Sequence, residues 1–140
     1  MRCRIRTATA DDVPAMHRIR LAVRENRLRD PALVTEPDYL PFVEAGSAWV
    51  ADCPTGLAGF AAVDLTDGNI WALFVDPGSE GCGIGRALHA AIVDKARAEG
   101  LVRLWLTTAP GTRAERFYRR AGWRPAGLGS DGDLRFERRL

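Results

Sequence analysis

The stretch Leu73–Ile92, LFVDPGSEGCGIGRALHAAI, passes from a hydrophobic strand through a cluster of glycines directly into a helix. Glycine adopts backbone conformations that other residues avoid, and it lets a ligand approach the main chain. The first turn of a helix presents unpaired N–H groups and the positive end of the helix dipole. The pattern therefore predicts a loop that binds a phosphate or a pyrophosphate.

The spacing of the glycines excludes the two commonest nucleotide-binding motifs. In the dinucleotide fingerprint G-x-G-x-x-G, the third glycine position falls on Arg86 when counted from Gly81, and on Leu88 when counted from Gly83. A P-loop is excluded because no Lys followed by Ser or Thr closes the loop. A turn that needs glycine for its geometry alone stays open as the alternative.

Length and composition indicate one domain over residues 1–140. The chain is 46% apolar, which is enough for a single packed core. Its first segment, MRCRIRTATADD, alternates charged and apolar residues, so we expect neither a signal peptide nor a membrane anchor, and a cytoplasmic protein. The three widely spaced cysteines, Cys3, Cys53 and Cys82, fit reduced thiols better than a disulfide framework or a metal site.

The net charge of +2 is too small to indicate a nucleic-acid partner. Residues 1–30 and 113–140 each carry eight arginines and four acidic residues, whereas residues 31–112 carry four basic and ten acidic residues. The arginines form no single run, so we interpret them as solvated faces. The acidic middle of the chain permits a cationic substrate without requiring one.

The hydrophobic pattern predicts an α+β sheet with helices on its faces, in the order βααβββαβαββ. Thr9 is expected to cap a first helix that ends near Asn26, and a short second helix is predicted around residues 38–44. Three antiparallel strands follow, and then a helix from Ile84 to about Glu99. A strand, a helix and two last strands complete the prediction.

Two segments of the chain resemble the recurring motifs of the GNAT N-acetyltransferase superfamily. LFVDPGSEGCGIGRAL, residues 73–88, looks like its acetyl-CoA loop, an apolar strand with x-x-Pro and R/Q-x-x-G-x-G/A before a helix. TRAERFYRRAGW, residues 112–123, resembles its second segment, a helix with Phe-Tyr before a basic stretch, Gly and an aromatic residue. The resemblance implies a three-layer fold, with a mostly antiparallel sheet of six to seven strands, splayed at the cofactor cleft and flanked by about four helices.

The resemblance also implies acetyl-CoA as the cofactor. The strands that splay apart would be Asn69–Asp76 and Val102–Thr108, with the thioester between them. The pyrophosphate would lie on the glycine loop and the pantetheine along the first of these strands. The implied cofactor-binding residues are Leu73, Phe74, Val75, Gly81, Cys82, Gly83, Ile84, Gly85, Arg86 and Arg113.

Attack of an amine on a thioester needs a neutral nucleophile, a donor for the developing oxyanion and a proton for the leaving thiolate. From its place in the second motif, Tyr118 is the implied proton donor, with a packed core tyrosine as the alternative. The oxyanion donor would be a backbone N–H of Phe74 or Val75. No general base is identified: Asp64 and Glu25 are candidates, but for each of them a surface carboxylate is the favoured interpretation.

Two positions depart from the family pattern. Glu80 stands where the pattern has Arg or Gln, and a carboxylate there should repel a pyrophosphate unless Arg86 compensates. Gly111 stands seven residues before the tyrosine, where Asn is frequent, so Thr108 or Arg113 would have to supply that contact.

The polar segment of residues 22–46 is long for a simple connection, which is typical of a functional loop. In the superfamily this segment roofs the acceptor pocket. The candidate acceptor contacts are Arg24, Glu25, Asn26, Tyr39 and Trp71, with solvated charges and a core tryptophan as the alternatives.

The resemblance, taken with these residues, implies an acetyl-CoA-dependent N-acetyltransferase that acts on the amine of a small molecule or peptide. Direct attack in a ternary complex is favoured because no acyl-carrying nucleophile is visible, and Cys82 is interpreted as an oxidisable thiol. We expect no metal, no nucleic acid and no membrane partner, and a homodimer is reasonable. A non-catalytic acyl-CoA-binding or sensing module stays as the alternative, because no base is identified and Glu80 departs from the pattern.

Overall fold

The computed structural model describes residues 2–140, which form one seven-stranded sheet between two layers of helices. The strands are β1 (Arg4–Thr7), β2 (Ala48–Cys53), β3 (Gly56–Asp64), β4 (Asn69–Val75), β5 (Arg103–Thr108), β6 (Arg124–Leu128) and β7 (Leu134–Arg139). The helices are α1 (Val13–Ala22), α2 (Leu40–Glu44), α3 (Ile84–Ala98) and α4 (Arg113–Arg120). The predicted three-layer α+β fold is confirmed.

The sheet has the strand order β1-β2-β3-β4-β5-β7-β6, and all neighbours are antiparallel except β4 and β5. These two parallel strands pair only where Asn69 lies opposite Trp105. At this point Trp105 N donates to Gly68 O at 2.9 Å, and Gly68 has φ +80° with no room for a Cβ beside the carbonyl of Arg103. Beyond this junction the strands part, which is the splay that the family resemblance implied.

Each face of the sheet carries its own hydrophobic core. On one face Ala61 and Val63 of β3 join a cluster with Leu88 and Ile92 of α3. On the opposite face the alternate residues of β3, including Phe60, join a cluster with the buried side of α1. Successive strand residues point to opposite faces, so the near-continuous apolar run of β3 serves both cores.

Helix α1 ends at Ala22, four residues before the predicted end at Asn26. Val23 is extended and buried, and Asn26 adopts a left-handed conformation with φ +57°. Asparagine tolerates this conformation better than most residues, but it cannot continue a right-handed helix. Arg20 Nη1 donates to Asn26 O at 2.9 Å, so the chain turns back over the last helical turn.

The cysteines do not match the expectation of reduced thiols. Cys3 and Cys53 form a disulfide, whereas Cys82 is free and exposed. Because β1 pairs antiparallel with β2 and sets Arg4 opposite Asp52, the two cysteines face each other one step further along, with Cα atoms 4.1 Å apart. The strand register creates this proximity, which the spacing of the cysteines along the chain does not indicate.

His89 joins α3 to the start of β6 through a buried hydrogen bond that the sequence did not reveal. Trp123 Nε1 donates to His89 Nε2 at 2.9 Å. An indole N–H is only a donor, so this imidazole nitrogen accepts and the ring is neutral. Burial, together with the nearby Arg138 guanidinium, lowers the pKa of His89 to about 4.

We expect this buried histidine to make the fold sensitive to acid. The unfolded chain takes up a proton near pH 6.5, whereas the native ring stays neutral down to about pH 4. The unfolding free energy should therefore fall by up to about 3 kcal/mol as the pH drops from 6.5 to 4, and level off below that range. Urea denaturation across this pH range measures the slope.

The matched variant is His89→Gln, which offers the same indole N–H an acceptor that does not titrate. Its unfolding free energy should show a correspondingly shallower dependence on pH over the same range. Parallel curves for the two proteins would show that His89 is not the group responsible.

Candidate active site

The gap between β4 and β5 opens on one side of the sheet into a cavity of about 630 Å³. Its walls are the end of β4 from Leu73 to Val75, the glycine loop, the first turn of α3 and one face of α4. This volume lies within the range of small-molecule and cofactor sites. We name it the loop cavity.

The glycine loop leaves several backbone donors free at the wall of this cavity. Gly81 and Gly83 both have φ +82°, and Gly83 is the N-cap of α3. The first helical hydrogen bond runs from Ala87 N to Gly83 O at 3.1 Å. Within residues 2–140, the N–H groups of Ile84, Gly85 and Arg86 have no protein acceptor, so they and the helix dipole are available to an anion.

The charged side chains around the loop cavity are mostly basic. Its lining includes two acidic residues, Glu25 and Glu80, and five arginines, which are Arg24, Arg86, Arg113, Arg116 and Arg120. Glu80 Oε2 lies 3.7 Å from Arg113 Nε, so the carboxylate that was expected to repel a phosphate has an arginine beside it. That arginine is Arg113 rather than the expected Arg86.

Arg116 and Arg120 are cavity residues that the sequence reasoning missed. They stand three and seven positions after Arg113 on α4, and residues with this spacing share one helix face. This spacing is visible in the sequence, but the arginines form no single run and are therefore interpreted there as solvated.

The register of β4 decides which backbone groups face the gap. Asp76 N donates to Ala58 O on β3 at 2.8 Å, and Phe74 lies opposite Phe60. Because alternate residues of a strand direct their N–H and C=O groups to the same side, those of Phe74 point to β3. Those of Leu73 and Val75 point to the open edge. Of the two expected oxyanion donors, the geometry therefore favours Val75.

Tyr118 lies on α4, at the wall of the loop cavity. Its ring packs edge-on against Phe117 and Trp123, and burial raises its pKa. Within the described chain its hydroxyl has no hydrogen-bond partner, yet it is not among the fully buried polar atoms. The hydroxyl therefore reaches the cavity surface, and it carries its proton at neutral pH.

A second cavity, of about 410 Å³, lies on the other side of the gap, and we name it the far cavity. Its walls are residues 26–29 after α1, Trp71 and Phe74 of β4, the end of β5, and the loop before β7. The residues that line both cavities are Asn26, Leu73, Phe74, Ala114 and Tyr118. Tyr118 therefore forms part of the wall of both cavities.

The structure places most of the predicted site residues at these two cavities. Nine of the ten cofactor residues line the loop cavity, and Cys82 is exposed and lines neither cavity. Among the acceptor residues, Arg24 and Glu25 line the loop cavity, Trp71 lines the far cavity and Asn26 lines both.

Tyr39 is the predicted acceptor residue that reaches neither cavity. It is completely buried, its ring lies edge-on to Trp71 at 5.2 Å, and its hydroxyl lies 2.9 Å from His17 Nδ1. Burial raises the pKa of Tyr39 to about 12. The ring of Tyr39 lies in the hydrophobic core between α1 and β3, where it packs against Trp71.

Neither candidate base is a free carboxylate beside Tyr118. Asp64 accepts hydrogen bonds from Thr66, which hold the pKa of its carboxyl below the usual range, and it lines neither cavity. Glu25 Oε1 accepts from the backbone N of Arg113 at 3.0 Å and so holds the first turn of α4. The five residues that line both cavities include no carboxylate and no histidine, and the described chain assembles no cluster of three metal-ligating residues.

Asn26 lies at the open end of the gap. Its Nδ2 donates to Thr108 Oγ1 at 3.0 Å, and its Oδ1 accepts from Ala109 N at 2.7 Å. Thr108, which the sequence offered as a cofactor contact, is buried and engaged by this amide. The side chain thus ties the segment after α1 to the end of β5.

Comparison with known proteins gives a consistent family. Residues 8–123 match the model of the acetyltransferase (GNAT) family. The chain is 38% identical over 66 residues to the mycothiol acetyltransferase of Beutenbergia cavernae, an alignment covering 46% of this chain and 22% of that protein. It is 43% identical over 82 residues to the streptothricin acetyltransferase of Streptomyces lavendulae, covering 53% of this chain and 42% of that protein.

The matched segment is thus less than half the length of either curated relative. Among solved structures, the fold resembles the PaiA N-acetyltransferase of Thermoplasma acidophilum, crystallised in complex with coenzyme A. The TM-score is 0.75 at 14% sequence identity, and each chain is covered over its full length, 100% in both cases.

The Asn26 bridge predicts a measurable loss of stability when it is removed. Asn26→Gly removes both side-chain hydrogen bonds and should lower the unfolding free energy by about 1–3 kcal/mol. Asn26→Ala should cost about 1 kcal/mol more, because alanine is strained in a left-handed conformation. Urea denaturation of the three proteins tests both steps. Equal stability of all three would contradict the bridging role.

Proposed function

This chain belongs to the acetyltransferase (GNAT) family, and from that premise we propose that it is an acetyl-CoA-dependent N-acetyltransferase acting on the amine of a small molecule or peptide. The observation that carries the proposal is the meeting of two cavities beside Tyr118, at the open edge of β4. One cavity suits an anionic, extended donor, and the other admits a second reactant. Such a site favours direct transfer between two bound molecules.

The loop cavity fits coenzyme A through both its backbone and its charge. The free N–H groups of Ile84, Gly85 and Arg86 would hold the pyrophosphate, and Arg116 and Arg120 would lie close to its negative charges. The N–H and C=O of Leu73 and the C=O of Val75 would pair with the pantetheine amides as an added strand does. When bound, acetyl-CoA supplies the acetyl group as a reactive thioester.

Two groups of the chain act at the reacting carbonyl and sulfur in this proposal. The N–H of Val75 faces the gap and donates a hydrogen bond to the oxygen on which negative charge develops. Tyr118, which burial keeps protonated, gives its proton to the leaving sulfur as the carbon–sulfur bond breaks and the carbon–nitrogen bond forms. Solvent then returns a proton to the phenolate.

The proton released by the amine leaves through water. The five residues shared by the cavities include no carboxylate or imidazole to accept it. The site therefore depends on the small neutral fraction of the amine, which rises with pH.

We propose that the protein is cytoplasmic and that it forms a homodimer. Within residues 2–140, no helix has both the length and the apolar character needed to cross a bilayer.

Tyr118→Phe tests the proton donor. Phenylalanine keeps the ring packing, so the variant should fold and bind acetyl-CoA normally, while kcat falls about 100- to 10,000-fold. Thiol release from acetyl-CoA with a panel of amines measures kcat and KM. A kcat within threefold of that of the parent protein would instead make Tyr118 a packing residue.

Arg116→Gln tests the donor cavity, with Arg119→Gln as the matched control. Both arginines lie on α4, but Arg119 is paired with Glu115 and lines neither cavity. The first variant should weaken coenzyme A binding roughly three- to tenfold, an effect that salt reduces, and the second should not. Calorimetric titration with coenzyme A, acetyl-CoA and ADP gives the affinities.

Failure of coenzyme A to bind would overturn the proposed function. Binding of acetyl-CoA without thiol release from any amine would indicate the alternative, a non-catalytic acyl-CoA-binding module.

A further inference from the structure

Arg20 is a half-buried guanidinium at the wall of the far cavity. It lies over the ring of Phe74, with Cζ 4.2 Å from the ring centroid, and its Nη1 donates to Asn26 O at 2.9 Å. Within the described chain no carboxylate lies within ion-pair distance of it. Its charge is therefore held at the cavity without a counter-ion.

Burial of this charge carries a cost that the protein does not offset with an acid. Desolvation lowers the pKa of Arg20, yet a guanidinium remains charged at any physiological pH. Within the described chain, one N–H group of this guanidinium donates a hydrogen bond, and its acceptor is a backbone carbonyl. The guanidinium therefore has unused donors at the wall of a cavity.

The surroundings of Arg20 strengthen any ion pair formed there. Trp71, Phe74 and Leu106 supply an apolar lining, and Coulomb attraction grows as water is excluded. Arg27 and Arg29 stand on the same cavity and add positive charge. This is the setting in which arginine binds a carboxylate with two parallel hydrogen bonds.

We propose that the acceptor is an amino acid-like molecule, whose carboxylate is bound by Arg20 while its amine reaches Tyr118. The inference rests on the proposed function, since it names the substrate class of the same site. Tyr118 and Arg20 both line the far cavity, so one small molecule can contact both.

The acidic residues of the far cavity argue against a more highly charged anion. Asp131 and Asp133 lie on the loop before β7, and Asp131 Oδ1 accepts from Asp133 N at 2.9 Å. Their charges would repel a phosphate dianion more than a carboxylate. A diamine that uses these aspartates is the competing substrate class, and the same assay examines it.

A series of ω-amino acids, from glycine to 6-aminohexanoate, tests the proposal against matched compounds. Each acid is compared with its carboxamide and with the diamine of similar length, and 2-aminoethyl phosphate is added. We expect the best carboxylate to exceed its carboxamide in kcat/KM by roughly 10- to 100-fold, the usual effect of one charged hydrogen-bonded pair. The best chain length reports the span from Arg20 to the reacting amine.

Three variants assign this preference to Arg20. Arg20→Gln should remove it, and Arg20→Lys should keep the charge but lose much of the preference, because lysine cannot form the paired hydrogen bonds. Arg18→Gln is the control, because it makes the same change on an exposed residue of α1 that lines neither cavity. If Arg20→Gln does not fold, Arg20→Lys decides the question.

A preference for the carboxamides, the diamines or the phosphate would overturn the inference, as would a carboxylate preference that Arg20→Gln and Arg20→Lys both retain.

A direct binding measurement separates this result from a failure of the proposed function. Calorimetry with N-acetyl ω-amino acids and their carboxamides needs no turnover. Selective binding of the acids, lost in Arg20→Gln, supports the inference even if no amine is acetylated, and equal binding of acids and carboxamides overturns it.

Discussion

A strand that parts from its neighbour leaves backbone N–H and C=O groups that must find other partners, and this constraint shapes the whole molecule. Among residues 2–140, no strand lies beside the open edge of β4 after the junction at Asn69 and Trp105. Cavities of about 630 and 410 Å³ lie on the two sides of the gap. The unpaired edge is consequently the place where an extended ligand finds hydrogen bonds that the protein leaves unmade.

Two sets of hydrogen bonds lie at the two ends of the gap. At one end the backbone of Gly68 and Trp105 closes it, and at the other the amide of Asn26 bonds to residues at the end of β5. Helix α4 then brings Tyr118 to the opening between these two anchors. The two cavities also differ in charge. The loop cavity has an excess of arginines, which suits a polyanion, and the far cavity has mixed charges around one half-buried guanidinium.

The order of elements, the glycine loop and the position of Tyr118 could be predicted because each leaves a local trace in the sequence. Alternation, helical spacing and turn residues act over a few positions, and the two motifs have fixed spacing. The end of α1, the disulfide and the burial of Tyr39 depend on register and on contacts between distant segments. Arg20 belongs to the second group, because one arginine among many shows its missing counter-ion only after the fold has placed its neighbours.

The single join between β4 and β5 also bears on how the chain folds. Strands β1 to β4 and strands β5 to β7 form two antiparallel groups, and most of their pairings link segments that are close in sequence. A parallel join needs a crossover through α3 and closes a longer loop, so it gains its contacts later than the hairpins do. Docking of the two groups therefore creates the cleft, and a chain whose two groups have formed but not docked has native-like strands and no reaction site.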